Sequence, residues 1–307
     1  MGHTYVVRVR VVDSERRPLS EWSQVVSTDL LKAVPLTVGS YNILKSRAKN
    51  WSARKPALAR TILSVDPDVV GLQEATPRKT ASGRRQYADL VAALGSDWAL
   101  TDADKGTSGE VRTVYNTKRL ELVSHGYSRI NGSTARGIPR FITWAQFTQL
   151  STGKQFLFVN THFLPRTSSR TDSRRVSAAR QLVALIKRVN TADLPVVIAG
   201  DFNTGMNRTS GNRVYTSILA GGYRDPLAAP SSRLGHAESK VRANLKTVNR
   251  YRRVAPRDSW APMVDHIFVS PMKVKVWEVV ARLNSAGRFV GTIPSDHNMI
   301  RVTVELP

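Results

Sequence analysis

Cysteine is absent from the chain. No disulfide can form and no thiolate can hold a metal, so any metal site must use Asp, Glu, Asn or His. This absence leaves the compartment open, because reduced and oxidised surroundings both hold proteins without cysteine. Long apolar runs are also missing. None approaches the roughly 20 residues of a membrane-spanning helix, so no stable membrane insertion is expected. A signal-peptide pattern is missing too, since Arg8 and Arg10 interrupt the apolar stretch of residues 5–12; the chain is either cytoplasmic or begins after a removed leader. Acidic residues are scarce, 23 Asp and Glu against 46 Lys and Arg, which leaves a formal charge of +23. Such an excess implies a polyanionic partner: nucleic acid, a phospholipid surface or an anionic cell wall. It does not choose among them.

What is present suffices for a sizeable core: 41% of the 307 residues are hydrophobic, enough for one large domain or two ordinary ones. Residues 4–12 alternate as a strand, a turn-like DSERRP follows, and Leu19 to Val26 reads as a second strand. The pattern Y-x-V-R-V-R … L-S-x-W-S is similar to the last two strands of a fibronectin type III module. Residues 1–34 are therefore expected to be a β-hairpin segment plus linker, and residues 35–307 the main domain. In bacteria such modules imply an extracellular location.

Within the main domain, strand-length apolar runs repeatedly end in polar residues. LTVGSYN ends at Asn42 and DVVGLQE at Glu74; QFLFVNTH carries Asn160 and His162; PVVIAGDFN ends in Asp201 and Asn203. VDHIFVS begins with Asp265, and Asp296-His297 precedes the last strand. Helical periodicity marks residues 51–65, 87–94, 173–189 and 212–219, whereas residues 226–262 have no strong period and read as a long basic loop. Hairpins are as frequent as strand–helix units, which predicts an α/β (α+β) fold of two packed mixed sheets with helices outside. Taken singly, each polar strand end has a bland explanation, such as a turn, a helix cap or a satisfied core histidine.

Together, YN, LQE, NTH, GDFN, DHIFVS and SDH, in this order and spacing, resemble the endonuclease/exonuclease/phosphatase superfamily from residue 36 to the end. The resemblance implies a four-layer α/β sandwich and hydrolysis of a phosphoester by a metal-activated water. It implies Mg²⁺ (or Mn²⁺) on Glu74, with Asn42 and Asp296 completing or supporting the shell; hard oxygen donors suit such ions. Asp201 would orient or deprotonate the water, with Asn203 beside it. His297 would bind the phosphate, its tautomer set by Asp265. His162 would be the general acid, and Asn160 would donate a hydrogen bond to the phosphate. His266 has no assigned role and reads as structural.

Two departures narrow the substrate. Inositol phosphatases have an Arg where this chain has His266, and no aromatic cluster suited to a bilayer stands out, Trp260 being alone. Basic residues follow the site-bearing strands: Arg78, Lys79, Arg84 and Arg85; Arg166, Arg170, Arg174 and Arg175; and eight between Arg233 and Arg257. Arg166 and Arg170 are the expected substrate contacts. The expectation is a monomeric, secreted, metal-dependent nuclease acting on DNA or RNA, with a phospholipid phosphodiesterase as the alternative and a non-catalytic polyanion-binding module as the last choice.

Overall fold

The computed structural model describes residues 4–7, 10–22, 26–29, 34–102, 104, 108–135, 137–165, 168–205, 212–231, 233–257 and 263–307. The chain divides into two compact units, Met1–Val34 and Pro35–Pro307. In the first, β1 (Thr4–Val7) pairs antiparallel with β2 (Val26–Asp29). The second strand thus lies later than the sequence pattern places it. Leu19 and Trp22 are instead exposed, and the Arg10 guanidinium sits 4.4 Å from the Trp22 ring centre.

The second unit has two mixed sheets. The seven-stranded sheet contains β3 (Leu36–Asn42), β4 (Val69–Gln73), β5 (Trp98–Leu100), β6 (Arg112–Asn116), β11 (Ala237–Val241), β13 (Lys273–Val280) and β14 (Met299–Glu305), in the spatial order β11-β13-β14-β3-β4-β6-β5. The five-stranded sheet contains β7 (Leu120–Ala135), β8 (Ile138–Gln149), β9 (Gln155–His162), β10 (Val196–Asp201) and β12 (Asp265–Val269), in the order β12-β10-β9-β8-β7. Parallel pairs occur only where a crossover intervenes in the chain: β3 with β4, β9 with β10, and β11 with β13. β4, β10 and β12 are buried along their whole length; β4 and β10 read as apolar runs with polar ends, whereas β12 opens on the buried polar pair Asp265-His266.

The inner faces of the two sheets share one core, with Val38, Val69, Ile300 and Val302 from one and Phe147, Phe158, Val197 and Ile267 from the other. Outside the seven-stranded sheet lie α1 (Trp51–Leu63) and α2 (Gln86–Leu94), whose Leu58, Ile62 and Leu90 cover Tyr41, Val70 and Leu72. Outside the other lie α3 (Ser169–Val189) and α4 (Arg213–Ala220), whose Ala179, Leu182 and Ile218 cover Leu157, Ile198 and Phe268. These are the two packed mixed sheets with helices outside expected from the mix of hairpins and strand–helix units, and the four-layer sandwich that the family resemblance implies. Three details differ. β5 is too short to show a period. α3 begins earlier than its apolar period, at a capping box between Ser168 and Thr171. β11 sits inside the segment expected to be loop, because an edge strand with an exposed face carries no apolar run.

Candidate active site

Sheet register assembles the site. Asp201, the last residue of β10, lies directly opposite His162 at the end of β9 and opposite Asp265 at the start of β12. Across the sandwich, parallel β3 and β4 end side by side with Asn42 opposite Gln73, and Glu74 follows. Both sheets thus deliver polar residues to the same end, the carboxyl end of their parallel strands. The junction demands tight backbones. A Cβ on Gly200 would come within 2.6 Å of the Thr161 carbonyl oxygen, and one on Gly71 within 2.7 Å of the Asn160 side chain. Glu74 and Asn203 both adopt left-handed backbone, φ 56° and 51°. Such strain in non-glycine residues persists where the surroundings enforce it, commonly at functional sites.

Asp201 is buried, and its carboxylate is enclosed by donors. Asn203 N–H reaches Oδ1 at 2.9 Å, Asn42 Nδ2 reaches Oδ2 at 3.1 Å and His162 Nε2 lies 3.4 Å from Oδ2. Burial raises its pKa to about 7, with the Asp265 charge adding and the His297 charge and the hydrogen bonds opposing. A carboxylate poised there is suited to accept a proton at neutral pH.

His297 faces Asp201 with Nε2 at 4.0 Å from Oδ2 and donates from Nδ1 to Asp265 Oδ2 at 2.9 Å. Burial disfavours its charge, but the Asp265 carboxylate, with Asp201 and Asp296 behind it, outweighs this and raises the pKa to about 10. His297 is thus an imidazolium held between carboxylates, able to meet a phosphate oxygen.

His162 has the opposite character. Arg140 NH1 lies 3.0 Å from its Nδ1. A guanidinium can only donate, so Nδ1 must accept and the proton sits on Nε2, toward Asp201. Burial pushes the His162 pKa well below its ordinary value, and the Arg140, His297 and Lys45 charges push the same way. The general-acid role expected for His162 needs a charged ring, which Arg140 opposes; the geometry makes it a neutral Nε2–H donor instead.

Asn160 also departs from expectation. Its Nδ2 donates to the main-chain oxygens of Leu72 at 3.2 Å and Arg112 at 2.8 Å, while Oδ1 accepts from Gln73 Nε2 at 2.8 Å. With both amide hydrogens taken, it pins β9 to β4 and β6 rather than meeting a phosphate. Of the two expected substrate contacts, Arg170 is exposed on the first turn of α3, and Arg166 lies outside the described residues.

Several contributors carry no sequence motif. Arg54 of α1 is buried and donates to the carbonyls of Ile43, Leu44, Lys45 and Pro294, tying the segment after Asn42 to the one before Asp296. Lys45 pairs with Glu110 at 2.6 Å, and both line a cavity of ≈ 730 Å³ with Glu74, Arg140 and Arg174. His266, adjacent to Asp265, reaches the Thr204 carbonyl at 3.0 Å and Asp225 at 3.4 Å, and stacks on Phe268. It braces the turn after Asp201, the structural role expected of it.

The donor set fits a hard cation. Glu74, half-buried at the cavity floor, accepts one main-chain N–H from Lys45 at 3.3 Å and a long contact from Asn42 at 3.5 Å, so carboxylate lone pairs stay open. Glu74 and Asp296 both act on the Arg54 charge, which places two carboxylates on this side of the site. Donor atoms of Asp201, Asp265 and His297 also lie within 4.8 Å of one another. There the His297 proton already joins the carboxylates, so a cation would have to displace it.

This geometry can be set beside known proteins. The pattern of the endonuclease/exonuclease/phosphatase family matches residues 39–297. The chain belongs to that family. Nocturnin of Drosophila melanogaster is 23% identical over 254 residues, 75% of this chain and 37% of the relative, so the chain spans little more than a third of that protein. A mannosyl-6-phosphatase of Bacteroides thetaiotaomicron superposes with TM-score 0.67 at 24% identity, covering 88% of this chain and 99% of the other. TDP2 of D. rerio, solved with a single-strand DNA product, superposes with TM-score 0.61 at 18% identity, covering 88% and 98%. At these identities the structures establish the fold. Members of this family are typically hydrolases that depend on a divalent cation, and the acidic and histidine side chains gathered here could hold one.

Proposed function

We propose that the protein is a divalent-cation-dependent nuclease that hydrolyses DNA or RNA backbone phosphodiesters. The observation that carries this reading is the Asp201–His297–Asp265 group, joined through Asn42 to Glu74, beside whose carboxylate lies a cavity lined by Lys45, Arg47, Arg140 and Arg174. A polymer of phosphates suits walls of this charge. Nocturnin and the DNA-bound TDP2 add support as relatives. Mg²⁺ or Mn²⁺, when bound by Glu74 with Asn42 and Asp296, would neutralise charge developing on the phosphate.

The chain's own residues account for the proton movements. Asp201 takes a proton from the attacking water, whose oxygen bonds to phosphorus as one P–O ester bond breaks. His297 holds a non-bridging oxygen by its charge. Asp265 keeps the His297 ring oriented. His162 donates a neutral hydrogen bond from Nε2. Asn203 fixes Asp201 through its main-chain N–H. The leaving alkoxide takes its proton from solvent. Incubation with single- and double-stranded DNA and RNA, with and without chelator, tests the reading; no shortened strand with any divalent metal would sink it.

Phosphomonoester hydrolysis is the second reading, because the ≈ 730 Å³ cavity beside Glu74 would also take a terminal phosphate between Lys45, Arg140 and Arg174. Release of inorganic phosphate without strand cleavage would favour it. For the phospholipid alternative, Trp260 lies outside the described residues, and no helix among those described is long and apolar enough to cross a membrane. Choline-phosphate release from vesicles would revive it.

We also propose secretion, the fibronectin-like reading of residues 1–34 as a piece separate from the catalytic domain at 35–307, and a monomeric state. The motif in residues 4–26 supports the first two, and the high positive charge, which opposes self-association, supports the third. Cell fractionation, limited proteolysis near residue 34 and sedimentation test them in turn.

A further inference from the structure

We infer that the substrate strand is gripped on both sides of the scissile phosphate, and that a second basic cavity makes the enzyme cut internally rather than from an end. This rests on the nuclease reading above. The cavity, of ≈ 370 Å³, is lined by Lys246, Arg250 and Arg252 together with Gly205, Asn249 and Val264. Its walls are the segments that hold the catalytic groups. Asn249 and Arg250 N–H both donate to the Asp296 carbonyl, at 2.7 and 3.1 Å, and Val248 forms a β-bridge with His297. Val264 precedes Asp265, and its carbonyl accepts the Phe202 N–H at 2.8 Å, beside Asp201.

The cavity described earlier borders the same centre from the other flank, through Glu74 and through Arg140 at His162. It continues into a further basic hollow of ≈ 590 Å³ that shares Lys45, Arg47 and Glu110 and adds Arg78, Lys79 and Arg85. The reacting groups therefore lie between two cationic grips. An end-directed enzyme needs one grip and a stop. Two grips suit a strand that runs through, its phosphates contacted before and after the break without readout of bases. The loop bearing the second grip is held in shape at a conformational cost: Arg250 and Tyr251 are consecutive non-glycine residues in left-handed backbone, φ 52° and 58°. That turn directs two N–H groups inward to Asp296 and leaves Arg250 and Arg252 exposed.

The step itself is plain hydrolysis, water supplying hydroxyl to phosphorus and hydrogen to the leaving oxygen. The test uses covalently closed single-stranded circles of DNA and of RNA, the same sequences made linear, and a nitrophenyl phosphodiester. Opening of a circle, with internal cuts in its linear form, is expected. The Arg250→Asn/Arg252→Ser variant, in which Asn tolerates the left-handed backbone, should raise KM for the circle at least about ten-fold more than it affects the small diester. Arg252→Glu alone gives the same split if the double variant folds poorly. Shortening of linear strands from one end, with circles intact, overturns the inference and leaves the nuclease reading standing. Equal losses on circle and small diester also overturn it. If the small diester is hydrolysed while no DNA or RNA of either shape is cut, the nuclease reading itself fails.

Discussion

Asp265→Asn isolates the charge that keeps His297 protonated. The Asp265 carboxylate accepts the Nδ1 hydrogen at 2.9 Å and is itself buried, so its field is poorly screened. Moving an imidazole from 6.5 to about 10 corresponds to about 5 kcal/mol between its charged and neutral forms, at roughly 1.4 kcal/mol per pKa unit. That is a net figure: burial pulls the other way, and Asp201 and Asp296 add to the Asp265 charge. The folded pKa lies above the unfolded one. The stabilisation is therefore fully present below about 6.5 and is lost as pH rises through about 10.

Asp201 does not confuse this window. Its raised pKa makes its own contribution fall between 3.8 and about 7, mostly at lower pH. In the variant the opposing carboxylate is gone, and burial is left to pull His297 down. Urea unfolding with chelator present, between about pH 7 and pH 10, should show wild type losing a few kcal/mol and the variant losing little. Nitrogen NMR should find the His297 ring charged at about pH 8 in wild type and neutral in the variant. Equal losses in the two proteins, or a ring that stays charged without Asp265, would refute the account of how this site holds its proton.

Other outcomes follow from the same geometry. Phosphodiesterase activity in wild type should rise with pH through about 7, as Asp201 loses its proton, and fall near about 10, as His297 loses its own; a flat profile across both would contradict the roles given to them. Glu74→Gln should lower activity by about 10²-fold or more and shift the metal concentration for half-activity upward, with stability changed by less than about 1 kcal/mol, read by metal titration and thermal melting. Arg140→Met should raise the His162 pKa, since that guanidinium helps depress it, and imidazole NMR titration would show no movement if the pairing were wrong. Asn160→Ala should destabilise the fold by about 2–4 kcal/mol, because the Leu72 and Arg112 carbonyls lose this donor and Gln73 loses one of its acceptors; preserved stability with lost activity would restore the phosphate-binding role.

The strand runs were readable because buried parallel strands carry unbroken apolar sequence, and their polar ends stand out against it. Those ends drew notice to Asp201 and Glu74; the resemblance of six motifs to a known family added Asp265 and His297, the roles of all four and the four-layer fold. Asn160 and His162 show the limit. Each sits in the NTH motif, yet what each can do depends on atoms from distant segments. Asn160 is occupied by Leu72, Arg112 and Gln73, and His162 by Arg140. Arg140, Arg54 and Glu110 belong to no pattern, because a buried ion or brace is defined by what surrounds it in space.

By itself the sequence determined most of the elements, the family resemblance, the residue types gathered at the strand ends and the sign of the charge. Those follow from local periodicity, composition and the order of short motifs, which the chain carries in one dimension. Tertiary structure alone decided which carboxylate is held near a pKa of about 7, which histidine is charged and which neutral, and that basic cavities border the segments carrying Glu74 and His297. Proton affinities depend on burial and on charges a few ångströms away, and those neighbours lie as far apart in the chain as Asn42 and Asp201.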